Sequence, residues 1–152
     1  MLIKICPEEF DPFHEIQVFQ NTALDKAGKY GATSIFVGTM RDLNDSKDVE
    51  AMTLEHYPGM TEKQLGIFVS GAQQRWQILD ALIFHRVGKI LPDQTIVLVA
   101  VWASHRGDAC DACRYIIEAL KSKAPFWKKE KLTTKDEQWV TKNTDGYLPK
   151  NI

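Results

Sequence analysis

The strongest constraint on what this chain can fold into is the unbroken apolar run from Ile96 to Ala103. A half-exposed strand alternates apolar with polar residues, so a run without alternation fits a central strand covered on both faces. Such a strand needs neighbours, and the sequence supplies them. Ala81 to Val87 reads as one strand, joined to the strand Thr95 to Ser104 through Gly88-Lys-Ile-Leu-Pro-Asp-Gln94. Ala32 to Met40 and Ala51 to Tyr57 read as two more. Beyond Ser104 the period changes: Ala109, Cys113, Ile116, Ile117 and Leu120 recur at helical spacing between Asp108 and Ser122. Pro125 stops that helix before an extended Phe126 to Leu132. A second helix, Thr61 to Gln77, follows the turn Pro58-Gly59 and opens on Thr61-Glu-Lys-Gln64, the spacing of a capping box.

This order predicts an α+β fold in which two main helices cover one mixed sheet. Arg41 to Glu50, rich in Asp and Asn, reads as a mobile loop, and the polar tail from about residue 142 as flexible. At 152 residues the chain is expected to be a single domain.

Charge excludes whole classes of partner. Twenty acidic residues against 19 basic leave no field suited to coating nucleic acid or an anionic membrane, so neither is expected as a partner. Met1 to Cys6 is apolar too briefly before Pro7 to serve as a signal-peptide core, which predicts a cytoplasmic protein. Cys6, Cys110 and Cys113 are an odd and sparse set, so disulfides are not expected. Cys110-Asp-Ala-Cys113 has dithiol spacing, but Cys113 belongs to the apolar helical stripe. Zinc would need further ligands and only His105 lies close, so no metal and no cofactor are expected.

The chemistry concentrates between His105 and Glu130. His105-Arg106 sits where a strand gives way to a helix, the place where backbone N–H groups and the helix dipole favour an anion. Ordinary solvated residues would look the same. Lys121 leaves its helix at the border of the buried stripe, where a partly desolvated amine can act as a nucleophile or proton-transfer group. Lys121, Lys123, Lys128, Lys129 and Lys131 fall within eleven residues around Ala124-Pro-Phe-Trp127. Strand alternation sends Lys128 and Glu130 one way and Trp127, Lys129 and Lys131 the other, which lets Lys128 join Lys121 with Glu130 beside it. Read alone, the same lysines describe a solvated edge strand. Gly38-Thr-Met-Arg-Asp42 offers a close backbone approach and, in Arg41, a planar fork for phosphate or carboxylate. Glu55 and His56 are explained by a strand ending in a Pro-Gly turn, and His85-Arg86 by packing or an interface.

Four segments together resemble the molybdopterin synthase large-subunit family, in order, across about residues 31 to 130. They are Gly31 to Asp42, Leu54-Glu-His-Tyr-Pro-Gly-Met60, His85-Arg-Val-Gly88 with Ala103-Ser-His-Arg106, and Leu120 to Glu130 with its Lys-Ala-Pro-Phe-Trp-Lys-Lys centre. The resemblance implies an α/β-hammerhead fold, a homodimer, and a small ubiquitin-like sulfur-carrier subunit on each copy, making a heterotetramer. It also implies sulfurtransferase activity in molybdenum cofactor biosynthesis. The partner's C-terminal Gly-Gly thiocarboxylate delivers two sulfurs, converting the small-molecule pterin substrate, cyclic pyranopterin monophosphate, into the molybdopterin dithiolene. Ending in Lys150-Asn-Ile152, this chain is expected to accept that tail. Carried onto this sequence, the catalytic lysines are Lys121 and Lys128. The substrate-binding set is Thr39, Met40, Arg41, His105, Arg106, Lys129 and Glu130, with Phe36 lining the pocket; the basic residue that the family often supplies later to a neighbouring subunit's site has no clear match here, Lys142 being only a guess at it. The rival expectations are a single-strand nucleic-acid module stacking bases on Phe126 and Trp127, and a dithiol redox enzyme built on Cys110 and Cys113.

Overall fold

A computed structural model of the chain describes residues 1–25, 28–44 and 47–141. The elements run β1 (Leu2–Cys6), α1 (Pro12–Thr22), β2 (Ala32–Thr39), β3 (Leu43–Asn44), β4 (Lys47–His56), α2 (Met60–Gln73), β5 (Ile78–Arg86), β6 (Gly88–Ile90), β7 (Thr95–Ala103), α3 (Arg106–Lys123), β8 (Phe126–Leu132) and β9 (Glu137–Val140).

The apolar run became the middle of a four-stranded sheet ordered β1-β5-β7-β2. There β7 pairs antiparallel with β5 and β2, while β1 joins β5 in parallel. Alternation along β7 feeds two cores. Val97, Val99 and Val101 pack with Leu65, Phe68 and Val69 of α2 and Cys113, Ile116 and Leu120 of α3. On the other face, Leu98, Ala100 and Trp102 pack with Ile16 and Phe19 of α1. Each fully buried side chain of this size removes roughly 1.5–3 kcal/mol worth of apolar surface from water, which makes this slab the stable body of the molecule.

The α+β class holds, but the expectation of two helices over one sheet needs correcting in three places. A third helix, α1, covers the second face of the first sheet. Its start was written in the sequence: Asp11 Oδ1 accepts from the N–H of Phe13 and His14, and Pro12 takes the first helical position. A second sheet also exists, ordered β3-β4-β8-β9, with β6 on the other side of β4. Its core is Met40, Val49, Met52, Leu54, Ile90 and Leu132. The stretch read as a mobile loop supplies β3 and the first residues of β4, which pair antiparallel.

Helix α2 begins one residue before the expected Thr61. Gly59, at φ 81°, takes the cap position, and its N–H donates to Glu62 Oε2 at 2.7 Å. Thr61 is wholly buried instead, its hydroxyl accepting from the N–H of Tyr57. The box is real but sits in a frame set by the Pro58-Gly59 turn.

Candidate active site

Strand β8 carries the chemistry, and its position is the main departure from an edge-strand reading. It lies inside the second sheet, between β4 and β9. Residues directly opposite in an antiparallel pair share a face. One face of the sheet therefore holds Phe126, Lys128, Glu130 and Leu132 of β8, with His56, Leu54 and Met52 of β4 and Gln138 and Val140 of β9. The other face holds Trp127, Lys129 and Lys131.

The expected pairing of Lys128 with Glu130 is present. Lys128 Nζ lies 2.7 Å from Glu130 Oε1, and the Glu130 side chain is only 2% exposed. Its second oxygen accepts from Gln138 Nε2 at 3.3 Å. A buried carboxylate left alone is costly, so this pair fixes Lys128 as firmly as Lys128 neutralises Glu130. Sequence reasoning missed Gln138, because nothing in Glu137-Gln-Trp-Val140 announced a ninth strand.

Lys129 belongs to the opposite face. It pairs with Glu137 and lies 5.7 Å from the centre of the Trp139 ring, while Lys131 reaches Glu50 at 3.1 Å. These contacts make the outer face a zipped, exposed surface rather than an extension of the Lys128 site.

Lys121 sits on the last turns of α3, whose Ile116, Ala119 and Leu120 are locked into the core. The desolvation expected for its amine is not a property of the single chain, where Lys121 is exposed. From Lys123 to Phe126 only Ala124 and Pro125 intervene, so the helix bearing Lys121 feeds directly into the strand bearing Lys128.

His105 caps α3 and Arg106 opens it, both exposed, at the strand-to-helix junction the sequence indicated. They are far from the lysines. Fifteen residues of helix separate Arg106 from Lys121, about 22 Å at the α-helical rise. Arg41 lies at the other end of the first sheet, since β2 runs antiparallel to β7 with Ala32 opposite Ala103 and Thr39 opposite Thr95. Thr39 and Arg41 are exposed, whereas Met40 is 5% exposed, a core residue of the second sheet. Gly38 is required in that bend: a Cβ there would meet Val97 Cγ1 at 2.7 Å. Phe36 is half-buried against the first core, and Lys142 lies outside the described residues. One chain thus brings together Lys128 and Glu130, on the strand that follows the helix bearing Lys121, and leaves His105 and Arg106 at the other end of that helix.

Of the segments given bland readings, Glu55 is exposed opposite Trp127 and His56 lies opposite Phe126. His85 is buried, its ring stacked on Phe126 at 4.0 Å between centres. Burial pushes its pKa down to about 4, against the bond to the Arg86 carbonyl, with His56 adding to the depression. Cys110 is exposed and Cys113 buried, and burial pushes the Cys113 thiol up to about 11. That is the reverse of the low-pKa thiolate a dithiol enzyme needs. Among the described residues no cluster of three metal-ligating side chains occurs.

Comparison with known proteins agrees with this fold. Residues 9–123 match the family model described as MoaE protein. The chain is 49% identical over 140 residues to the molybdopterin synthase catalytic subunit of Ralstonia nicotianae, covering 91% of this chain and 76% of that one. It is 47% identical over 138 residues to that of Haemophilus influenzae, covering 91% and 89%. Among solved structures, the MoaE protein of Burkholderia ambifaria superposes with a TM-score of 0.76 at 46% identity, covering 94% and 91%. A Helicobacter pylori structure described as a complex of subunits 1 and 2 of molybdopterin-converting factor shares the fold, with a TM-score of 0.75 at 20% identity over 91% and 90%. Family model and relatives together show that this chain belongs to the MoaE family, that of the molybdopterin synthase catalytic subunit.

Proposed function

We propose that this chain is the catalytic subunit of molybdopterin synthase. It receives the thiocarboxylated C-terminus of a small ubiquitin-like subunit and passes two sulfurs to cyclic pyranopterin monophosphate, forming the dithiolene of molybdopterin in the cytoplasm. The observation that carries the reading is Lys128, held 2.7 Å from the buried Glu130 carboxylate and one short connection from Lys121. Both the phosphate-bearing pterin and the thiocarboxylate are anions, so a pair of fixed amines is the complement each requires. Lys121 and Lys128 stabilise negative charge on the tail and move protons as each sulfur bonds to a pterin carbon in place of oxygen and water replaces it on the carbonyl carbon, which leaves the partner's tail as a carboxylate. The sulfur belongs to the partner, which agrees with a buried, weakly acidic Cys113.

A homodimer supplies what one chain lacks. Because Arg106 stands about 22 Å from Lys121 along α3, the phosphate-binding pair His105 and Arg106 can meet these lysines only from a second copy. Arg41, with Thr39, serves its own chain's lysines. A small subunit on each copy then gives a heterotetramer, and the subunit complex of the related-fold Helicobacter pylori protein supports such a partner.

The test is reconstitution: this chain, a thiocarboxylated ubiquitin-like partner and cyclic pyranopterin monophosphate, scored for molybdopterin. Mixing a Lys121→Ala chain with a His105→Ala/Arg106→Ala chain probes the shared site. Each mutant alone should be inactive and the mixture should regain activity through hybrid dimers; no recovery in a mixture that exchanges subunits overturns the shared site.

A further inference from the structure

Lys121 and Lys128 belong to different structural bodies. Lys121 rides on α3, fixed by Ile116 and Leu120 in the core of the first sheet, and Lys128 rides on β8 in the second. Their relative placement therefore depends on what ties the two sheets together at the start of β8. His85, on β5 of the first sheet, stacks its ring on Phe126, the first residue of β8, with centroids 4.0 Å apart and planes 14° from parallel. Phe126 is two residues from Lys128 and on its face.

The imidazole is fixed in turn. His85 is 4% exposed, and its Nδ1 lies 2.8 Å from the Arg86 carbonyl oxygen. A carbonyl only accepts, so Nδ1 carries the proton and donates, which sets both tautomer and ring plane. The described titratable group that acts on it electrostatically, His56, stands opposite Phe126 in the strand ladder.

We infer that His85 is a positioning residue for the sulfur-transfer site: by clamping Phe126 against the first sheet it sets the start of β8 and hence where Lys128 stands relative to Lys121. The inference rests on the reading of these two lysines as the working groups. A ring at position 85 is what the clamp requires; the nitrogen orients that ring and takes no proton from substrate.

The test compares His85→Ala, His85→Phe and Phe126→Leu in the assembled enzyme with thiocarboxylated partner, beside Lys128→Ala. Misplacing a reacting group by about 1 Å costs on the order of a hundredfold. His85→Ala and Phe126→Leu should lower kcat by up to that factor while KM for the pterin changes far less, since His105 and Arg106 of the phosphate-binding pair are not carried on β8. His85→Phe keeps a flat ring and should restore most of the turnover. Loss of kcat and KM together, or no rescue by Phe in a folded variant, overturns the clamp, as does wild-type kcat in His85→Ala. A second readout is independent of turnover: the NMR signal of 13C-methylated Lys128 should move in His85→Ala and return in His85→Phe. If Lys128→Ala keeps full activity, the lysine reading falls; the Lys128 signal then decides the clamp by itself, supporting it if it moves and overturning it if it stays.

Discussion

The two sheets use the same pleat for different ends. In the first, both faces of β7 are closed by helices, and every residue from Val97 to Ala103 is buried. In the second, β8 puts a cation and a carboxylate on the face that also holds Met52 and Leu54 of β4, so an ion pair shares that face with an apolar core. The comparison teaches where stability and reactivity reside. The apolar slab carries no chemistry and is intolerant of lost volume; the lysine strand carries the chemistry.

Four experiments break or sharpen that contrast, beginning with the largest effect. Lys121→Ala and Lys128→Ala should each reduce sulfur transfer by about a hundredfold or more, the usual scale for a lost proton-transfer group, while the folded chain persists by circular dichroism. Trp102→Ala should do the opposite. Trp102 is fully buried against Phe19, with ring centres 5.1 Å apart, and its loss should cost roughly 3–5 kcal/mol in a denaturant titration, with activity per folded molecule retained. Wild-type stability in that variant would deny the slab its role.

The third concerns acid. His85 is held neutral in the folded chain down to about pH 4, whereas an unfolded histidine protonates near 6.5. As pH falls through that window the unfolded state binds the extra proton, so stability drops, by on the order of 3 kcal/mol at its lower end. Above pH 6.5 neither state is protonated and the effect vanishes. Chemical denaturation from pH 7 to 4 should show this slope in wild type and a flatter one in His85→Phe. Smallest of all, Cys110→Ala should alter stability by no more than about 0.5 kcal/mol and leave transfer intact, with Cys113→Ala also active; a loss of turnover in either folded variant returns the thiols to the mechanism.

The centre of the first sheet was legible because burial on both faces leaves a periodic trace: β5, β7 and α3 fall within a few residues of their expected bounds, whereas β1 and α1 were not read as elements. The second sheet was only half legible. Strand β8 and the facing of Lys128 with Glu130 follow from alternation, but β9 and the β3–β4 arm are polar ladders held by backbone bonds, which side-chain pattern does not encode. The candidate site was proposed from residue types, and its geometry came only with the fold. The sequence grouped Arg106 and Lys121 within one stretch, His105 to Glu130, whereas the helix between them sets them about 22 Å apart. The His85 stack escaped for a related reason: a contact between residues 41 apart in the chain has no local signature, and only the fold juxtaposes β5 with β8.

The parallel pairing of β1 with β5 has a kinetic consequence. Leu2 registers against Leu82, so the opening strand has nothing to pair with until some 80 further residues exist. At synthesis rates of about 5–20 residues per second, β1 waits several seconds outside any sheet. Its partner β5 is itself incomplete without β7, whose apolar run is the segment most prone to aggregate while exposed. Newly made chains should therefore acquire the first sheet late and in one step, with α1 idle until Trp102 arrives to cover it.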